Sequence, residues 1–345
     1  MKKQILILMF FALALIAGTS NSFGQATAGS APRPLSGCDL TNPLTPIAGK
    51  PYDYSAVINP AGGTAYWYAT NSTTFTTAGA RVATEIPADG VKIAAATNYR
   101  TDITGATSPT TTNITWTSAG LAGIDASTSP LFVVTEYSGP TCSNNLKVMQ
   151  ILPLNAFTVD IMNLKYDDGT ALGYDTPDTQ CFSDVASATF SAGAIDYDFG
   201  INYLYYEVVA ANFTDEYDLT FQISNLQNNQ TASIDWGYVK GTYDQSVGLV
   251  TNGTPSAAQT IETNATDTSN GVSIYVRVTV NNNDFEGLAN TNITLSVDAV
   301  DSANNPDVSH TDCNDNAAYA DAATQTLNAR PTVTPGTTML PNVAP

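Results

Sequence analysis

Residues 272–280 read VSIYVRVTV, and that stretch decides the fold. Val272, Ile274, Val276, Val278 and Val280 alternate with Ser273, Tyr275, Arg277 and Thr279. Successive side chains of an extended chain point to opposite faces, so the pattern makes one apolar and one polar face at a period of two. Ile293, Leu295 and Val297 alternate with Thr294, Ser296 and Asp298 in the same way. The denser run YLYYEVV, Tyr203 to Val209, reads as a central strand. Leu219, Phe221 and Ile223, beyond the turn-like NFTDEYD, read as its antiparallel neighbour. Turn chemistry comes from Asn282-Asn283, Asn252-Gly253 and Asp168-Gly169. Helix-period patterns are hard to find, and short strands separated by polar turns predict an all-β chain of packed sheets.

The first half carries a second set of strand signals. Cys38 is followed by Tyr52 and Tyr54, then Tyr66 and Trp67, then Ile114-Thr115-Trp116, then PLFVVTEYSGPTC from Pro130 to Cys142, and finally LKVMQI from Leu146 to Ile151. This order of cysteine, core tryptophan and late cysteine-bearing strand resembles the PKD-like and Ig-like modules of exported surface proteins of Bacteroidetes-type bacteria. The resemblance covers residues 38–155 and implies a β-sandwich stapled by a disulfide, used as a spacer, adhesin repeat or assembly subunit. Residues 156–328 are expected to form a larger, acidic sandwich on pattern alone. Two tandem Ig-like/PKD-like β-sandwich domains are therefore predicted.

Around these domains the termini differ in composition. Lys2 and Lys3, the apolar run Ile5–Ala17 and a small-residue exit near Gly24 and Gln25 read as a signal peptide over residues 1–25. That makes the protein extracellular or at the cell surface, or periplasmic if it lacks an outer-membrane route, and no later run is long enough for a membrane span. Residues 26–37 are small, polar and proline-containing, and read as a flexible leader. The tail, 329–345, has four prolines and reads as extended.

Charge divides unevenly. The chain carries a formal net charge of −19, and four Lys or Arg face 24 Asp or Glu from residue 156 onward. Such a field repels nucleic acid and favours cations or basic partners. Four cysteines in an exported chain read as two disulfides. Three pairings are open, and the sequential one, Cys38 with Cys142 and Cys181 with Cys313, is preferred because it needs no bond between domains.

The candidate chemistry is limited. His310 is the chain's single histidine, no nucleophile elbow accompanies it, and phosphate-binding glycine loops are absent. Glu207 is the acid to watch, because burial within its apolar strand would raise its pKa, although an outward-facing position is the commoner outcome. Calcium, which takes oxygen ligands, has candidates in Asp312, Asn314, Asp315 and Asn316 (DCNDN), in Asn282, Asp284 and Glu286 (NNDFEG), and in Asp167 with Asp168. DCNDN resembles the D-x-N-D-N linker of cadherins, and NNDFEG resembles the first half of an EF-hand loop. The same residues also read as solvated turn acids. Trp236, Tyr238 and Tyr243 are the candidates for stacking on sugar rings, against core packing as the commoner use of aromatics.

These readings converge on an exported, non-enzymatic structural protein: a cell-surface, matrix or filament-type subunit assembling through sandwich edges and extended termini. A calcium-dependent adhesin or carbohydrate-binding module is the alternative, and a glycosidase using paired carboxylates comes third.

Overall fold

The computed structural model describes residues 25–36, 38–75, 91–93, 100–140, 144–166, 169–265, 267–311, 313 and 317–333. Its first lobe contains β1 (Pro51–Ala56), β2 (Thr64–Thr70), β3 (Val91–Ile93), β4 (Arg100–Thr104), β5 (Thr110–Trp116), β6 (Leu131–Ser138) and β7 (Asn144–Ile151). They form a four-stranded sheet, β4-β2-β6-β7, and a three-stranded sheet, β1-β5-β3. Inward residues of both sheets share one core, in which Trp67, Trp116, Ile114, Leu131 and Ile151 are completely buried. Two polar groups in this core are satisfied locally, since Trp116 Nε1 donates to Tyr54 Oη at 3.1 Å and Tyr54 Oη reaches the Pro43 carbonyl.

The second lobe is built from β8 (Thr158–Leu164), β9 (Asp178–Cys181), β10 (Ser187–Ser191), β11 (Ala194–Asp198), β12 (Ile201–Ala211), β13 (Glu216–Ser224), β14 (Thr231–Gly237), β15 (Gln245–Val250), β16 (Gln259–Glu262), β17 (Val272–Asn281), β18 (Thr291–Asp301) and β19 (Asp321–Asn328). Two five-stranded sheets, β15-β14-β17-β12-β8 and β16-β13-β18-β19-β9, pack face to face. The valines of β17 and the Ile293, Leu295, Val297 set of β18 fill the space between them. A β10-β11 hairpin stands apart as a sheet of two strands. The chain is all-β, as the alternating patterns predicted. Among the described residues no helix is long and apolar enough to cross a membrane.

Three expectations are corrected. The strands β12 and β13 are not neighbours: β12 pairs with β17 and β8, whereas β13 pairs with β18 and β16 in the opposite sheet. The connection is an arch across the core, and Phe213 within it is fully buried against Phe157 and Tyr217. Asn212 and Asp215 hold the left-handed backbone, at φ 62° and 67°, that such an arch needs and that Asn and Asp tolerate.

Residues 26–36 are not a flexible leader but a strap bound to the second lobe. Ala26 is completely buried in the second core and donates its N–H to Glu262 O at 2.8 Å, while Thr27 O accepts from Ser273 N at 2.9 Å. The strap thus joins β16 of one sheet to β17 of the other. It then crosses the outer face of the β17-β12 pair, where a Cβ on Gly29 would collide with Ser273 and Pro32 lies against Gly271. Leu35 reaches the first core.

The disulfide is likewise not sequential. Cys38 pairs with Cys313, with Cα atoms 6.3 Å apart, so the bond fastens the end of the strap to the second lobe. Cys181 is an exposed free thiol, and Cys142 lies outside the described residues. The first lobe is therefore held to the second at its N-terminal entry. Buried hydrogen bonds between Ser118 and Thr214 add to that junction: Ser118 N donates to Thr214 Oγ1 at 2.7 Å, and Thr214 N donates to Ser118 Oγ at 3.1 Å.

Candidate functional site

The outer face of the β15-β14-β17-β12-β8 sheet holds a cavity of about 580 Å³. Its floor follows from strand alternation: Leu204 and Tyr206 point into the core, so Tyr205 points outward, and register places Arg277 of β17 beside it. The connection after β8 contributes Lys165 and Tyr166, and the β14-β15 connection contributes Lys240 and Tyr243. Ring centroids of Tyr166 and Tyr205 lie 6.0 Å apart, and those of Tyr205 and Tyr243 5.8 Å apart, inclined at 42° and 36°. Neither pair is stacked flat, so the rings form an angled wall. The Arg277 guanidinium sits 5.1 Å from the Tyr243 centroid and 5.6 Å from that of Tyr203. Gly169, at φ +64°, lets the Lys240 stem pass where a Cβ would meet its Cε at 2.8 Å.

Electrostatically this spot differs from the rest of the lobe. Lys165, Lys240, Arg277 and Arg330 are the only cations after residue 155, and three of them line this cavity. Arg277 donates to Asp235 Oδ2 at 2.9 Å, a bond that raises the guanidinium's pKa further, while its Nε has no hydrogen-bond partner among the described residues. Neither lysine pairs with a carboxylate among the described residues. Burial raises the phenol pKa of Tyr205, and burial together with Tyr205 raises that of Tyr243 to about 12, so both rings stay neutral.

The predicted sugar platform is split by the fold. Trp236 and Tyr238 are buried and pack edge-to-face at 5.3 Å, with Trp236 Nε1 donating to Gln259 Oε1 at 3.3 Å. Both belong to the core of the second lobe, and of the three only Tyr243 joins the cavity. Of the calcium candidates, Asn282 is completely buried, its amide donating to Gly200 O at 3.1 Å and Asn202 Oδ1 at 3.0 Å and accepting from Gln230 at 2.8 Å. Asp284 and Glu286 stay exposed, so the fold does not bring that triplet together. Asp167, Asp168, Asp312, Asn314, Asp315 and Asn316 lie outside the described residues.

Glu207 does face outward, yet it is only 3% exposed because the strap covers it. Its carboxylate accepts from Ser30 N and Ser30 Oγ, both at 2.8 Å, and from Ser273 Oγ at 2.7 Å. His310 sits half-buried in a turn beside Asp160 and Asp321, with ligand atoms within 4.8 Å of one another. Arg33 of the strap approaches Asp160 at 4.0 Å and pairs with Asp175. Burial pushes the Asp160 and Asp321 carboxyls up, and a hydrogen bond between the two lets them share a proton. Burial likewise raises Asp307, and burial and Arg33 lower His310.

Sequence reasoning missed Lys165, Tyr166, Tyr205, Lys240 and Arg277, which are dispersed along the chain. The only signal was the scarcity of cations in the acidic half.

Fold and site together define an all-β chain of two packed lobes with a cationic, tyrosine-walled cavity on the larger one. No family model matches it, and no curated protein matches it. Among solved structures it is similar to the N-terminal domain of PorA, at 10% identity and a TM-score of 0.24, covering 49% of this chain and 96% of that one. It is similar to the C-terminal domain of the Streptococcus agalactiae AgI/II polypeptide BspA, at 10% identity and a TM-score of 0.22, covering 84% and 96%. It is also similar to CfaE, the adhesive subunit of the CFA/I fimbria of enterotoxigenic Escherichia coli, at 9% identity and a TM-score of 0.30, covering 89% and 87%. At these scores the likenesses carry no argument about what the chain does.

Proposed function

We propose that the chain is an exported, non-enzymatic structural subunit of a cell surface or extracellular matrix that assembles with copies of itself. The β10-β11 hairpin carries this reading. Every residue of both strands is exposed, and register places Phe190 opposite Ile195 and Ala188 opposite Tyr197 on one face. Phe190 is 73% exposed, Ile195 56% and Tyr197 47%. The other face carries Thr189 opposite Asp196 and Ser187 opposite Asp198, so the hairpin is amphipathic with its apolar side uncovered. A two-stranded ribbon is marginal in water, and an apolar face gains stability only against another surface. The proposal assigns that surface to a second copy of the chain.

Analytical ultracentrifugation tests the reading. The chain from residue 26 is expected to sediment as concentration-dependent oligomers, and the double variant Phe190→Asp, Ile195→Asp as a monomer with an unchanged melting temperature. Oligomers that persist in the variant, or a wild type that stays monomeric, remove the hairpin from the account. Calcium at Asp312, Asn314, Asp315 and Asn316 belongs to the same proposal: EDTA is expected to lower the melting temperature, and an unchanged value eliminates the ion.

A further inference from the structure

We propose that the cavity walled by Tyr166, Tyr205 and Tyr243 and charged by Lys165, Lys240 and Arg277 binds an acidic saccharide. The inference goes beyond the assembly reading and does not depend on it. Size comes first: about 580 Å³ exceeds what a single inorganic anion fills and falls within the range of small-molecule sites, roughly 300–1,000 Å³. Charge comes second. Three of the four cations that this half of the chain sets against its 24 acids line this one cavity, and among the described residues neither lysine pairs with a carboxylate. They form a local sink for negative charge inside a repelling field.

That same field restricts the ligand. A long polyanion laid across the lobe would meet the surrounding acids, so the site selects an anion small enough to enter and be held by all three cations. The tyrosines specify the rest of the ligand. Inclined neutral rings offer apolar faces for the C–H surface of a pyranose, and their hydroxyls can exchange hydrogen bonds with sugar hydroxyls. The geometry therefore seats a ring against Tyr166 and Tyr205, with its carboxylate or sulfate directed to Lys165, Lys240 and the Arg277 edge.

Titration calorimetry of the whole chain, residues 26–345, decides the matter with four probes. These are digalacturonate (carboxylated), a sulfated chondroitin disaccharide, neutral lactose and triglutamate. Binding of one or both acidic sugars is expected, at least tenfold tighter than lactose or triglutamate, and weakened at least tenfold between 50 and 500 mM salt. Preference between the two acidic sugars identifies the anion. Lys165 and Tyr166 are exposed, as is Lys240, so their variants should fold. The double variant Lys165→Ala, Lys240→Ala is expected to weaken binding at least tenfold, and Tyr166→Ala at least fivefold, with melting temperatures unchanged. Equal or tighter binding of triglutamate overturns the saccharide in favour of an acidic peptide. No binding by any probe, or binding that the variants leave intact, overturns the site, and neither result bears on whether the protein oligomerises.

Discussion

Substituting Glu207 with alanine should release the strap while leaving both lobes folded. The carboxylate accepts three hydrogen bonds, two of them from Ser30 of the strap. A hydrogen bond to a charged group contributes about 1.5–3 kcal/mol, so losing the two strap bonds should weaken strap docking by about 3–6 kcal/mol. At about 1.4 kcal/mol per tenfold change, amide exchange over residues 26–36 should quicken by roughly 10²- to 10⁴-fold. Native-state hydrogen exchange read by mass spectrometry is the assay, with the β17 and β18 peptides as internal reference. Glu207→Gln keeps an acceptor for Ser30 N and should give an intermediate rate. If strap exchange in the Glu207→Ala protein equals that of wild type, the reasoning fails, because the strap is then held by its disulfide and Ala26 alone.

Other consequences follow from the same structure. Asp160, Asp307 and Asp321 have folded-state pKa values raised by burial, so the folded state binds their protons more tightly than the unfolded chain. Their stabilising contribution is complete below the ordinary aspartate value of 3.8 and is lost as pH rises to about 8, the value reached by Asp321. Asp321→Asn should therefore raise the melting temperature at pH 8 and change it little at pH 4, as read by scanning fluorimetry. The Cys38–Cys313 bond closes a loop of 275 residues, for which chain entropy gives about 6 kcal/mol. Cys38→Ser, Cys313→Ser should lower urea stability by that order and speed exchange in the strap. Among the described residues Tyr206 Oη is buried without a hydrogen-bond partner, so Tyr206→Phe should be neutral or stabilising by about 1 kcal/mol in urea denaturation.

Strand identity was legible in the sequence because the side-chain period of an extended chain is fixed by geometry. Partners were not. Alternation in Tyr203–Val209 and Leu219–Ile223 shows which faces are buried, but a hairpin and an arch give the same alternation, and only the pairing of β12 with β17 and β8, and of β13 with β18 and β16, distinguishes them. The strap was illegible for another reason. ATAGSAPRPLS looks unstructured by composition, yet its binding uses main-chain bonds, one small buried residue and the absence of a side chain at Gly29, none of which raises hydrophobicity. Cysteine count fixed neither the pairing nor the free thiol. The cavity escaped because its cations come from positions 165, 240 and 277, which are brought together by sheet order and not by any local spacing. Trp236 and Tyr238, conspicuous as a cluster, proved to be core residues, Trp236 from β14 and Tyr238 from the residue after its end.

The central claim is self-assembly of an exported structural subunit, and negative-stain electron microscopy of residues 26–345 at high concentration tests it most directly. The account predicts ordered filaments or sheets for the wild type and dispersed particles for the Phe190→Asp, Ile195→Asp variant. Dispersed two-lobed particles from the wild type at every concentration would contradict it.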